Sequence, residues 1–249
     1  MRSIISLLVM TLSVLNVSAQ KNTSTVQESR YYSRATSAPA TLDAEGFIRR
    51  WMVLEPVSKP NHTNIVFTDS YLREVFAKQY FKNQMTCMPK DGDKVKAVCE
   101  TVDMPKDFRR VDPATLKHNF TTETLQWHKL DSKAYNLKLM RFGEEKKQRL
   151  YGVIYFVMTT ISCDEDINDV RLSVGSNSAS MWWIDGKEAL ILSGDRRMVA
   201  DDGVSHRISL SKGTHVLRGC IINGPGMSDF CVRFLAENGT PVIENIKIK

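Results

Sequence analysis

The stretch from Leu150 to Ile161, LYGVIYFVMTTI, constrains the fold more than any other part of the chain. It is almost continuously apolar and rich in β-branched and aromatic residues. Gly143-Glu144-Glu145-Lys146 breaks the pattern before it, and the polar CDEDIND turn follows it. An apolar run of that length between turn signals suits a central sandwich strand better than a helix.

Strand signals then recur at short intervals: residues 170–174, 181–184, 187–192, 195–200, 204–210, 214–222 and 229–236. Turn chemistry separates them, with Asp185-Gly186 between two apolar runs the strongest hairpin signature. Many short strands with turns between them mean an all-β sandwich or barrel. Upstream, Gly46 to Leu54 alternates as a first strand ended by Glu55-Pro56. Phe47, Arg49, Trp51 and Val53 share one face of it, and Ile48, Arg50, Met52 and Leu54 the other. Residues 124–130 and 135–142 alternate likewise. Tyr71, Leu72, Val75, Phe76 and Tyr80 fall at helical spacing behind Thr68-Asp69-Ser70, which predicts a helix over 70–81. Between about 83 and 120 the pattern weakens into Lys, Asp and Pro, a loop-rich insertion with a hairpin signal at Asp91-Gly92. The fold class is therefore mainly β: a jelly-roll-like β-sandwich with one N-terminal-side helix and a loop-rich insertion.

The N-terminal residues belong to another category. Met1-Arg2-Ser3, the apolar run from Ile4 to Leu15 and the small residues of Val17-Ser18-Ala19 read as a secretory signal peptide over 1–19, cleaved near Ala19. No second long apolar stretch follows, so no membrane anchor is expected and the mature chain should be secreted or periplasmic. Residues 20–45, rich in Ser, Thr, Ala and Gln, read as a flexible leader into a sandwich domain over 46–249.

The net charge of +6, one unit of it Arg2, is mild and spread along the chain. Lys146-Lys147 and Arg149 cluster without interleaved aromatics, so nucleic acid is not an expected partner. Cys87, Cys99, Cys163, Cys220 and Cys231 form an odd set. Cys220 and Cys231 flank Pro225-Gly226 symmetrically, and Cys87 and Cys99 flank Asp91-Gly92-Asp93. Two disulfides across hairpins are one reading, and five small buried hydrophobes the other. No cysteine pair has zinc-ligand spacing. Asp164, Asp166 and Asn168 alternate like half a calcium loop without its Gly and closing Glu. No cofactor is expected beyond a structural calcium ion there, against a solvated acidic turn.

The ordered set FIRRWMVLEP, YGVIYFVMTT, GSNSASMWWIDGKE, Asp201-Asp202, the Leu-x-x-Gly of Leu210 to Gly213, and DFCVRFL carries a resemblance. It resembles the jelly-roll modules, akin to galactose-binding-like and protective-antigen-like domains, of secreted polysaccharide-degrading proteins of gut-type bacteria. Chains of that group are often labelled acetylxylan esterase. The likeness runs from about Gly46 onward and is densest from Gly175 to Phe234. It implies a carbohydrate setting in xylan degradation, with a polysaccharide or oligosaccharide and other secreted glycan-degrading proteins as partners. Catalysis is a separate question.

A serine esterase needs an activated hydroxyl, a base and oxyanion donors. The GxSxG elbow is absent, and Gly175-Ser176-Asn177-Ser178 lacks the helix that should follow it. Asp195, Asp201, Asp202 and Asp229 are the loop carboxylates a glycosidase could use. The catalytic residues stay unassigned, and a non-catalytic module is favoured over an acetylxylan esterase and over an assembly module without a sugar site. For binding, adjacent Trp182 and Trp183 must point to opposite faces of their strand. Trp183 matches the resembled group's Trp-aliphatic-Asp-Gly-Lys hairpin, which leaves Trp182 as the outward ring able to stack on a sugar. Arg196 and Arg197 either bind sugar hydroxyls or pair with Asp201 and Asp202. Asn223 and Asp229 either border a site or close the last hairpin.

Overall fold

A computed structural model describes residues 29–61, 63–102 and 115–249. The signal-peptide expectation therefore lies outside the described residues. In chain order the strands are β1 (Tyr32–Arg34), β2 (Ala40–Thr41), β3 (Arg50–Leu54) and β4 (Val57–Ser58). Helix α1 (Asp69–Ala77) precedes β5 (Lys94–Val102) and β6 (His118–Ser132), and α2 (Leu139–Glu145) follows. Then come β7 (Val153–Cys163), β8 (Ile167–Ser176), β9 (Ala179–Ile184) and β10 (Lys187–Leu192). The last are β11 (Gly203–Leu210), β12 (Gly213–Asn223), β13 (Phe230–Leu235) and β14 (Ile246–Ile248).

The large sheet runs β1-β6-β3-β7-β12-β9-β10, and a three-stranded sheet, β11-β8-β13, packs against one of its faces. All pairings are antiparallel, so the chain is a mainly β sandwich, and no described helix is long and apolar enough to cross a membrane. The apolar run read from the sequence is β7, at the centre. Its odd residues, Val153, Tyr155, Val157 and Ile161, fill the core between the two sheets. Its even residues, Ile154, Phe156 and Met158, fill a second core on the opposite face. That second core is roofed by Leu72, Val75 and Phe76 of α1 and by Ala97, Cys99 and Leu125 of the β5–β6 hairpin. Period-two alternation on a strand apolar in both phases thus requires a cover on each face. β3 divides as its sequence predicts, Trp51 and Val53 into the first core and Met52 and Leu54 into the second.

Several elements depart from expectation. Part of the expected flexible leader is structured: β1 pairs with β6, and Tyr32 is buried with its hydroxyl donating to the Lys138 carbonyl at 3.1 Å. The supposed loop-rich insertion contains β5, a nine-residue strand paired throughout with the first half of β6. Its alternation is hard to see because only Ala97, Cys99 and Glu100 are buried. Residues 135–142 are not a strand: α2 forms there, and its Gly143 leaves room for the Tyr155 hydroxyl, which would lie 2.8 Å from an added Cβ. Residues 195–200 form a loop rather than a strand. Helix α1 is capped by Thr68, whose side chain accepts from the Tyr71 N–H, and it ends at Ala77, before the expected 81. There Gln84 takes over the backbone partners, accepting from Tyr80 N–H and donating to the Phe76 and Lys78 carbonyls.

The consecutive strands β8 and β9 do not pair with each other. β8 belongs to the small sheet and β9 to the large one, so the turn at Asn177-Ser178 crosses between layers. The hairpin lies one step later, β9–β10, where Asp185 (φ 51°) and Gly186 (φ 79°) both take the left-handed region that a two-residue primed turn demands.

Candidate functional site

The crossing decides the fate of the two tryptophans. Trp182 points between the sheets and is fully buried, in edge-on or tilted contact with Trp51 (5.9 Å) and Phe230 (5.2 Å), its indole N–H donating to Ser180 Oγ at 2.9 Å. Trp183 points the other way and packs edge-on against Phe76 of α1, 6.3 Å between centroids. Trp182 is therefore not an outward sugar platform. Both faces of β9 are covered, so the strict alternation that forced the rings apart sent neither to solvent.

The charged candidates find partners within the fold. Arg196 pairs with Asp202, as the salt-bridge reading of this stretch expects, while Arg197 is exposed and makes no ion pair among the described residues. Asp201, at φ 60°, is held by Arg233 and by the Ser173 hydroxyl at 2.5 Å, and Arg233 also lies over the Phe47 ring. The Arg233 hydrogen bonds lower the Asp201 pKa against the opposing effect of burial. Asn223 is buried and closes the last loop: its Oδ1 accepts from Val153 N–H, and its Nδ2 donates to the Leu150 carbonyl and Ser228 Oγ. Asp229 is buried beside Lys138 at 3.3 Å, and burial raises its pKa. Asp195 accepts from Asn64. Arg196, Asp201 and Asp202 cluster near the small sheet, and among the described residues no hydrogen bond or ion pair joins them to Asn223 or Asp229.

The acidic turn after β7 is likewise engaged, Asp164 with Lys247 and Asp166 with the Lys212 N–H, and no metal-binding cluster forms among the described residues. All five cysteines are free thiols. Cys220 and Cys231 cannot face each other across a hairpin because β12 and β13 lie in different sheets. No described histidine side chain bonds a serine hydroxyl or a cysteine thiol. Those with partners turn instead to Glu100 (His118), to Glu55 (His128), and to Asp185 with the Ser211 carbonyl (His215).

What the fold does leave open is a groove of about 550 Å³ between β1, β6 and α2. The polar phase of β6 builds its floor: Gln126 and His128 alternate with the buried Leu125 and Trp127. Glu55 fixes this floor from the end of β3, its Oε2 accepting from Gln126 N–H at 3.0 Å and its Oε1 facing His128 Nε2 at 3.2 Å. Burial, reinforced by the Lys146 ammonium, lowers the His128 pKa against the pull of Glu55, so the ring is neutral at pH 7. With Nε2–H donating to Glu55, Nδ1 is an acceptor without a protein partner among the described residues. One wall is Ser29 and Glu145, joined at 2.6 Å, and the other is Asp91, which accepts from Lys129 N–H and pairs with Arg34. Phe142 seals the base, edge-on to both Tyr32 and His128. The groove thus gathers donors and acceptors on fixed strands; Ser29 and Ser33 also line it, but among the described residues neither hydroxyl bonds the His128 ring. Its sequence signal was the polar phase of residues 124–130.

No known family model matches the chain, and no curated protein does. Among solved structures, the PA14 domain of the MpAFP antifreeze protein aligns with 87% of this chain and 96% of its own, at 11% identity and a TM-score of 0.38. Function does not transfer at that likeness.

Proposed function

We propose that the protein is a non-catalytic carbohydrate-binding β-sandwich module, exported and working beside xylan-degrading enzymes, with the β1–β6–α2 groove as its glycan site. The groove itself carries the reading: Gln126, His128, Asp91 and Glu145 converge on a space of saccharide size, and such convergent polar groups suit an array of hydroxyls. The carbohydrate setting comes from the sequence resemblance. The acetylxylan esterase reading would need a serine hydroxyl activated by a histidine, and no described histidine bonds one; the Ser29 hydroxyl in the groove is held by Glu145 instead.

Affinity electrophoresis of the full chain against xylan and a panel of other polysaccharides tests the proposal. Retardation by at least one glycan is expected, with a roughly tenfold loss in His128→Ala, the size of one or two hydrogen bonds in a binding site. No retardation by any glycan would favour an assembly module. Acetate release from acetylated xylan, abolished by a single Ser→Ala change, would establish the esterase instead.

A further inference from the structure

A second cavity, of about 360 Å³, adjoins the groove and shares Asp91 and Lys129 with it. Its floor is made of thioethers, Met52 and Met158 side by side on paired strands with Met88 above them. Its rim is cationic. Lys90 and Lys129 line it, and neither ammonium makes an ion pair among the described residues. The Lys249 ammonium is tied to Thr214 Oγ1 at 3.1 Å. The carboxylate side chain on the rim among the described residues, Asp91, is already committed to Arg34 and to the Lys129 N–H.

Behind the thioethers sits Arg218, only 7% exposed. It donates to the Cys87 carbonyl at 2.5 Å and to the sulfurs of Met158 (3.4 Å) and Met88 (3.6 Å), and no carboxylate pairs with it among the described residues. A buried guanidinium without a counter-ion is costly, because its charge has lost water and gained only dipoles. Lys129 is only half-buried, and there burial, with Arg50 nearby, lowers its pKa against the pull of Asp131 and Asp91. The strand pattern concentrates these charges. Lys129, Met52, Met158 and Arg218 lie opposite one another across β6, β3, β7 and β12, all on the second-core face of the large sheet.

We propose that this cavity binds the carboxylate of a small organic acid that also has an apolar face, the carboxylate at Lys90 and Lys129 and the apolar face on the methionines. Thioethers are polarisable and unbranched and adapt to such a face. Arg218 acts behind them as a positioning residue that raises the local potential. Uronic acids and short fatty acids share this chemistry.

Calorimetric titration of the full chain with trigalacturonate, its methyl ester, hexanoate and hexanamide tests the proposal. One of the two acids should bind, and which one identifies the source. The matching neutral compound should bind at least tenfold more weakly, and affinity should fall with added salt. Lys129→Gln and Lys90→Gln should each lose roughly tenfold, one charge-assisted contact, with unchanged melting temperatures. Arg218→Met should melt no lower than the parent, since an apolar chain replaces an unpaired buried charge, yet still bind the acid several-fold more weakly. Equal binding of acid and neutral analogue, or no binding of either acid, overturns the proposal.

Discussion

His215 faces two acceptors at once: Asp185 Oδ2 lies 2.6 Å from Nδ1 and the Ser211 carbonyl 2.8 Å from Nε2. Only the imidazolium donates from both nitrogens. Burial opposes that charge, but the Asp185 carboxylate and the Ser211 carbonyl outweigh it and hold the pKa above the ordinary value. A folded-state pKa above the unfolded one contributes stability that is complete below about pH 6.5 and lost as pH rises through the folded value. The urea midpoint should therefore decline across that window, by an amount worth under about 1 kcal/mol because Asp185 is partly solvated. Asp185→Asn should flatten that part of the profile, and an identical profile in parent and variant would refute the coupling. Aspartate at 185 was legible as a turn residue, but its grip on His215, thirty positions on, was not. That pairing exists only because β12 lies beside the β9–β10 turn.

At the scale of elements, β12 and β9 approach closely because Gly219 stands opposite Trp182 in the register. A Cβ on Gly219 would sit 2.5 Å from the indole ring, and Trp51 and Phe230 leave that ring nowhere to go. Gly219→Ala should cost about 1–3 kcal/mol, the usual penalty of overpacking, read as a lower denaturant midpoint at unchanged slope. An unchanged midpoint would show that the sheet can yield. The strands β3, β7, β9 and β10 were all legible because their alternation or their turn is local. The helix α2 was not: seven residues are too short to display a helical period, and its place is set by contacts with Tyr32 and Tyr155. The groove floor was half legible, since residues 124–130 showed a polar phase, but the walls come from residues near 29, 91 and 145 that only folding gathers.

The whole molecule is a β-sandwich with an added roof, and five unlinked thiols sit within it. Cys99, Cys163, Cys220 and Cys231 are buried, and only Cys87 is partly open. Reductant should therefore leave the melting temperature unchanged, and a thiol reagent should modify Cys87 well before the others in the native state. A fall of several degrees with reductant would mean that a disulfide contributes to stability. The central place of β7, the turn at Asp185-Gly186 and the opposed faces of Trp182 and Trp183 were all legible locally, because each follows from the character or the backbone alternation of a few neighbouring residues. What lies on those faces was set by long-range packing. A period of two says that two side chains diverge and is silent on whether the second face meets water or, as here, α1 and the β5–β6 hairpin. The outward tryptophan was lost for that reason, and the open groove appeared instead at β1 and α2, two short elements with almost no local signal.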